Sequence, residues 1–304
     1  MSTTRRDADA AAVAEFHRSL SNWGRWGEDD QLGTLNTITP AKRAAAAGLV
    51  TSGRAVSCAR PLPTEPAVDN PKPVLHHMIG TAGEGYGGDF FGMAPHGYSV
   101  SHIDALCHIF HDGRIYNGAP AARVTAHGAE SLSIDALRDG IVSRGILLDV
   151  PRRREVAWLE AGEPIHPQDL EEAERAAGVR VEPGDVLFIR TGRWALREER
   201  GAWDPHEVLA GLQAACLPWL RERDVAALGS DGVSDVVPSR SGAFRLPIHS
   251  VAIVAMGLHL LDNLDLENLA RACDDAGRWE FLITIAPLVL VGGTASPVNP
   301  IALF

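Results

Sequence analysis

The sequence lacks the features that mark several common classes of protein. No uninterrupted apolar run is long enough to span a membrane, and residues 1–10 contain no apolar core of the kind found in a secretory signal. The four cysteines lie far apart and form no C-x-x-C pair, which argues against a zinc knuckle or a redox motif. We therefore expect reduced thiols and a cytoplasmic protein.

Positive charge is also scarce. The 28 Lys and Arg side chains are outnumbered by 39 Asp and Glu, which leaves a formal net charge of −11. An acidic surface repels phosphate backbones, so we expect no nucleic-acid partner. Apolar residues make up 45% of the 304 residues and charged residues 22%, which is typical of a globular protein. The expected partner is a small-molecule substrate, with neither nucleic acid nor membrane involved.

Strand-length apolar runs alternate with helical segments through the second half of the chain. Residues 144–150 and 185–190 are predicted to be buried strands, because each is a continuous apolar run of strand length. A helix is predicted over 167–177, with Gly178 as its stop. This alternation indicates a mixed α/β fold.

The chain shows no internal repeat and no convincing linker. We therefore predict a flexible N-terminal arm over residues 1–20, which ends in a short helix, and one catalytic domain over 21–304. Within that domain, helices are predicted near 207–222 and over 264–276, and a long strand over 281–291.

The most informative stretch contains His102, Asp104 and His108. Side chains at positions i and i+2 of an extended strand point to the same face, which places His102 beside Asp104. Imidazole nitrogen and carboxylate oxygen together suit zinc, manganese or iron. A turn after the strand would bring His108 back over the metal. Taken alone the pattern also fits ordinary buried histidines, which are common.

Two residues further along the chain extend this hypothesis. His249 precedes an apolar run that ends at Asp262. Alone, His249 is equally a core histidine, and Asp262 is equally a cap for the helix predicted over 264–276. The polar segment 229–235 overlaps the end of a strand predicted over 225–230 and is either a plain turn or part of the site.

These residues resemble those of a known family. Residues 101–110 are similar to the signature H-x-G-T-H-x-D-x-P-x-H-F of the metal-dependent cyclase family, which includes bacterial kynurenine formamidase and isatin hydrolase. Four more segments resemble that family in the same order: 26–36, 183–192, 229–235 and 296–302. The resemblance therefore extends from about residue 22 to the C-terminus.

The resemblance implies a fold, an assembly and a metal site. The fold is a mixed α/β single domain with a β/β/α arrangement of the swivelling type, and a homodimer or homotetramer is the expected assembly. A divalent metal, manganese or zinc, is the expected cofactor. The implied ligands are His102, Asp104, His249 and Asp262, and His108 matches the histidine that acts as acid and base.

The sequence departs from the signature at two ligand positions. Tyr98 stands where the first signature histidine belongs, and His96 lies two residues earlier. Either a longer loop delivers His96 to the metal, or Tyr98 points into the site and that ligand is lost; we take His96 as the candidate ligand. Asp262 replaces the family's usual Glu, which shortens that ligand by one methylene.

The expected function is hydrolysis of the C–N bond of a cyclic amide or an aryl formamide by a metal-activated water. His108 would accept the proton of the water and later protonate the leaving nitrogen. The alternatives are a polyketide-type cyclase, a lactone hydrolase, a binding protein with a degenerate site and a closed structural metal site. These alternatives share the same ligands, so motifs alone do not separate them.

Overall fold

The computed structural model describes residues 5–304, and its main element is a mixed β-sheet. The strands are β1 (Ala55–Ser57), β2 (Leu75–Gly80), β3 (Gly88–Gly92), β4 (His102–Asp104), β5 (Val124–Thr125), β6 (Gly128–Ala129), β7 (Ile141–Asp149), β8 (Pro164–Ile165), β9 (Val186–Arg190), β10 (Gly211–Leu212), β11 (Ala227–Ser230), β12 (His259–Asp262), β13 (Glu280–Ile285), β14 (Ala295–Pro297) and β15 (Ile301–Leu303). Nine of them form one sheet in the order β1-β15-β13-β7-β9-β11-β12-β4-β14.

The centre of this sheet is parallel and its flanks are antiparallel. Strands β7, β9, β11 and β12 run parallel to one another. On one side β12 pairs with β4 and β4 with β14, both antiparallel; on the other, β7 pairs with β13 in the same antiparallel sense. Because parallel strands all end at one edge, the residues that follow β9, β11 and β12 meet there.

Helices and turns surround the sheet. The α-helices are α1 (Ala10–Ser19), α2 (Pro40–Ala47), α3 (Val150–Arg153), α4 (Pro167–Ala177), α5 (Arg193–Arg200), α6 (Leu217–Glu222), α7 (Pro247–His249) and α8 (Glu267–Ala276). A π-helix, Ser250–Met256, continues directly from α7. The 3₁₀ turns are Gly33–Thr37, Ala82–Glu84, Tyr116–Gly118, Ala121–Arg123, Ile134–Leu137 and Ala214–Cys216. Helices α2, α4 and α8 all contact β7, the longest strand of the sheet.

Local sequence signals placed several elements correctly. Strands β7 and β9 lie where continuous apolar runs predicted them, and every residue of β9 is buried. Helix α4 ends at Gly178, which has a φ of +66° as a left-handed C-cap requires. The predicted extended conformation of residues 102–104 is confirmed as β4.

Three predicted elements are shorter in the structure than the sequence suggested. Of the helix expected near 207–222 only Leu217–Glu222 is α-helical, because Gly211–Leu212 pairs with β8. The strand expected over 281–291 ends at Ile285, two residues before Pro287, which cannot donate to a ladder. Helix α8 begins only at Glu267.

Residues 1–20, which we expected to form a flexible arm that ends in a short helix, contain helix α1 in their described part. Val13 of this helix is fully buried, and His17 Nε2 lies 2.9 Å from Ser250 Oγ of the π-helix. The division of the chain at residue 20 stays a prediction. Within residues 5–304, no helix combines the length and apolar character needed to cross a bilayer.

One glycine marks a close backbone approach that the fold depends on. Gly33 has a φ of +56°, and a Cβ added there would lie 2.0 Å from the carbonyl oxygen of Gly257. We expect Gly33→Ala to lower the free energy of unfolding by about 1–3 kcal/mol more than Gly277→Ala does, because of the steric conflict. Gly277 is the matched control, with a φ of +59° and nothing within 4 Å of its added Cβ. Urea unfolding midpoints measure the difference, and equal midpoints would contradict it.

Candidate metal centre

Five side chains from four separate segments converge at one point beside the sheet. His102 and Asp104 project from the same face of β4, and Asp262 ends the neighbouring strand β12, where it is paired in register with His102. His249 comes from α7, and His96 from the loop before β4. The side chains from the strands and from α7 are at most 4% exposed, so the cluster is buried apart from His96.

Asp104 lies at the centre of the cluster, shared by two groups of ligand-type atoms. Its Oδ1 is 3.0 Å from His96 Nδ1 and 3.5 Å from His102 Nε2. Its Oδ2 is 3.6 Å from His249 Nε2, which is itself 3.2 Å from Asp262 Oδ2. Within each group of three residues the ligand atoms lie within 4.8 Å of one another. These separations suit atoms that share a cation through bonds of about 2.0–2.2 Å.

The hydrogen bonds of the cluster are incomplete in a way that fits a cation. Both carboxylate oxygens of Asp104, Oδ1 of Asp262 and Nδ1 of His96 are buried without a hydrogen-bond partner. Buried charged acceptors without donors are costly, and a divalent cation between them removes that cost. The imidazole and carboxylate donor set suits zinc, manganese or iron. The residues present therefore fit a divalent metal.

Two histidines of the cluster are oriented by neutral groups outside it. His102 Nδ1 donates to the carbonyl oxygen of Val100 at 2.8 Å, which leaves Nε2 facing Asp104. His96 Nε2 lies 2.9 Å from Thr294 Oγ1, which leaves Nδ1 facing the cluster. Such outer hydrogen bonds fix the ring orientation of metal-binding histidines.

The third histidine is oriented by a residue that the sequence left undecided. Segment 229–235 was either a turn or part of the site, and the structure gives its two carboxylates different partners. Asp231 accepts hydrogen bonds from Thr191 and the start of α5, whereas Asp235 Oδ2 lies 2.7 Å from His249 Nδ1. The family resemblance of residues 229–235 marked the segment but assigned no role to Asp235.

Opposing charges set the protonation of the cluster. Burial alone would lower the pKa of His249, but attraction from Asp262 and the hydrogen bond to Asp235 outweigh it and raise that pKa well above its usual value. Burial likewise disfavours ionised Asp104, but its histidine neighbours, His108 foremost, hold the pKa of this carboxyl well below its usual range. Asp104 is thus charged and attracts positive charge to the cluster.

His108 lies directly against the cluster. Its backbone N–H donates to the carbonyl of Ala105 at 3.0 Å, and this turn stacks its ring on that of His96, with centroids 3.7 Å apart and an interplanar angle of 11°. Burial lowers the pKa of His108 to about 4, so the imidazole is neutral near pH 7. A neutral imidazole here is able to accept a proton.

The choice between His96 and Tyr98 follows from their positions. The His96 ring lies beside Asp104 and His108, whereas the Tyr98 ring packs edge-on against His206 at a centroid distance of 4.4 Å. Gly97 between them has a φ of +136°, a backbone conformation that L side chains rarely adopt. The sequence also allowed Asp262 to be a helix cap; in the structure its side chain faces the cluster.

Comparison with known proteins gives the family. The family profile of cyclases matches residues 39–235. A solved structure described as a novel cyclase shares 31% sequence identity with the chain, and the match covers 95% of this chain and 99% of that one at a TM-score of 0.86. No curated protein matches the sequence.

More distant structures share the fold. Isatin hydrolase A from Ralstonia solanacearum is 23% identical over 86% of this chain and 95% of its own, at a TM-score of 0.59. An isatin hydrolase bound to the product analogue thioisatinate is 17% identical over 88% of this chain and 99% of its own, also at 0.59. The predicted mixed α/β fold is confirmed, and the chain belongs to the cyclase family.

Proposed function

We propose that this protein is a metal-dependent hydrolase that cleaves the C–N bond of a cyclic amide or an aryl formamide. The observation that carries the proposal is the buried cluster around Asp104, whose unpartnered acceptors lie beside a neutral His108. The shared fold with isatin hydrolases supports a cyclic amide as the substrate class.

The five residues of the cluster and the neighbouring His108 have separate roles, the former in metal binding and the latter in proton transfer. His96, His102, Asp104, His249 and Asp262 would hold a divalent metal, manganese or zinc. When bound, the metal acts as a Lewis acid that polarises a carbonyl and acidifies water.

His108 performs the proton transfers. Its neutral ring accepts a proton from the attacking water and then donates it to the leaving nitrogen as the C–N bond breaks. The ring is partly buried, which limits its contact with water and strengthens each charge interaction in the site.

The composition of the cluster favours catalysis over a structural role. Structural zinc sites are closed by four Cys or His ligands. Here the two ligand groups found among residues 5–304 consist of three histidines and two carboxylates without a cysteine, and a fourth histidine, His108, stacks on His96. A ligand set that includes carboxylates, beside a proton acceptor, is the arrangement that suits hydrolysis.

We also propose that the protein acts on a small molecule as a homodimer or homotetramer. The β2–β3 hairpin supports this assembly, because it presents a group of large apolar side chains to solvent: Leu75, Met78, Ile79, Phe90 and Phe91. Exposed apolar patches of this kind are typical of protein interfaces. Light scattering would measure the mass, and a monomer at micromolar concentration would contradict the proposal.

A small substrate panel tests the proposed reaction. The protein, reconstituted with manganese or zinc, is assayed with isatin, N-formylkynurenine and simple lactones. The acid released is measured by titration with base. We expect acid release from an amide. Turnover of lactones alone would show that the bond cleaved is an ester and not an amide. Ring closure without water consumption would show that the protein is a cyclase.

Metal removal should destabilise the fold measurably. A metal present at 100 times its Kd stabilises the folded state by about 2.7 kcal/mol, so we expect a chelator to lower Tm by about 4 °C and added metal to restore it. Thermal melts in EDTA, before and after metal is returned, measure this shift. The Asp104→Asn variant is the control, since its Tm should not respond to metal; an unresponsive wild-type Tm would contradict the site.

A further inference from the structure

We propose that Asp235 is a positioning residue that fixes the tautomer of His249 and thereby aims Nε2 of that ring at the metal. The proposal rests on the metal site of the proposed function, and it assigns a role to a residue outside the ligand set. Asp235 itself touches no other member of the cluster among its hydrogen-bond and ion-pair contacts within residues 5–304.

Asp235 holds the start of α7 through three contacts. Its Oδ2 lies 2.7 Å from His249 Nδ1 and accepts the His249 backbone N–H at 3.1 Å. Its Oδ1 accepts the backbone N–H of Ile248 at 2.7 Å. The carboxylate is fully buried, so these donors are what compensate its charge. One side chain therefore fixes both the backbone and the ring of His249.

These contacts determine which nitrogen of His249 carries the proton. A carboxylate only accepts hydrogen bonds, so Nδ1 must be the protonated nitrogen. In the neutral ring the lone pair is then on Nε2, which faces Asp262 Oδ2 at 3.2 Å and Asp104 Oδ2 at 3.6 Å. A lone pair directed at two carboxylate oxygens needs a positive charge between them, which is either a second proton on Nε2 or a metal that takes the place of that proton.

The backbone around Asp235 keeps its side chain in place. The residues on either side bond to the same partner: Leu212 N–H donates to Ser234 O at 2.7 Å, and Val236 N–H donates to Leu212 O at 3.1 Å. The loop after β11 is thus fastened to β10 on both sides of Asp235. A side chain held this way is suited to orienting another residue.

His249 differs from the other two histidines of the cluster in this respect. His102 is oriented by the carbonyl of Val100 and His96 by the hydroxyl of Thr294, which are both neutral. The partner of His249 is a charged carboxylate, which raises the basicity of the imidazole as a ligand. Metal affinity should therefore depend on this outer contact more than on the other two.

Asp235→Asn tests the proposal. The Asn carbonyl oxygen still accepts the Ile248 N–H, but its NH₂ group then faces His249 Nδ1 and favours the tautomer with the proton on Nε2. We expect metal to bind about 10–100-fold more weakly than to the wild-type protein. Titration of the metal-free protein with zinc against a competing chelator measures this directly.

Asp231→Asn is the matched control. Asp231 lies in the same loop and is fully buried, but it binds Thr191 and Gly192 at the start of α5 and touches no candidate ligand. Its variant should bind zinc within about twofold of wild type, since no ligand is reoriented. The proposal is overturned if Asp235→Asn also binds within twofold, or if both variants lose the same affinity.

A measurement on the wild-type protein covers the case in which Asp235→Asn does not fold. In the zinc-loaded protein, imidazole ¹⁵N chemical shifts should show His249 protonated on Nδ1; protonation on Nε2 would overturn the proposal. Neither experiment uses a substrate. Failure of the hydrolase proposal would appear as metal binding without acid release, whereas failure of this one would appear as unchanged zinc affinity in the variant.

Discussion

Asp104→Asn is expected to abolish stoichiometric metal binding and to lower hydrolysis by at least about 10³-fold. Asp104 is the residue common to both groups of ligand atoms: its Oδ1 lies near His96 and His102, and its Oδ2 lies near His249. Replacing the carboxylate with a neutral amide removes the charge at the centre of the cluster. Losing the several kcal/mol that a metal contributes to transition-state stabilisation corresponds to about this loss of rate.

Elemental analysis and the acid-release assay on the same preparation measure both effects of Asp104→Asn. Asp112→Asn is the control, because it makes the same chemical change on a nearby turn where the side chain is 90% exposed. It should keep both metal and activity. Full metal occupancy in Asp104→Asn would contradict the central position assigned to Asp104.

His108→Ala is expected to lower kcat by about 10²–10⁴-fold while the metal stays bound. His108 stacks on His96 but belongs to neither group of candidate ligands, so its removal takes away the proton acceptor and leaves the metal-binding atoms. In this variant kcat should therefore fall while the metal content stays the same. That separation distinguishes it from a ligand substitution.

The control for His108→Ala is His127→Ala, which removes an exposed imidazole that belongs to neither ligand group. This control should retain wild-type kcat and metal. Two results would contradict the role of His108. Unchanged kcat would show that another group moves the proton, and loss of metal would make His108 a ligand.

The candidate site was predictable from the sequence where its geometry is local. His102 and Asp104 share a face because a strand has a period of two, and that prediction needed no tertiary information. The approach of His249 and Asp262 is different in kind. The pairing of β12 with β4 in one register places Asp262 beside His102, and before the family resemblance was considered His249 and Asp262 fitted a core histidine and a helix cap as well as ligands.

Residues whose role depends on a distant partner were not predictable. Asp235 looked like part of a turn, because nothing in the sequence shows that His249 would fold back to it, 14 positions later. The same limit explains the helix expected near 207–222. Pairing of Gly211–Leu212 with β8 overrides the local preference of that segment.

The choice between His96 and Tyr98 shows that the family signature alone does not predict which residue reaches the metal-binding cluster. The family pattern placed the ligand at position 98, and only the path of the loop through Gly97 shows that the imidazole at position 96 reaches Asp104. Loop geometry of this kind depends on contacts such as that of His96 with Thr294, nearly 200 residues away. Spacing in sequence does not encode it.

The measurement that tests the central claim most directly is the metal content of the protein. The chain would be purified without chelator, reconstituted with manganese or zinc, freed of excess metal and analysed for its elements. A tightly held divalent ion, at one or two per chain, is the predicted result, since the five side chains form two ligand groups that share Asp104. A protein that retains no metal after reconstitution would contradict the site and the reaction proposed for it.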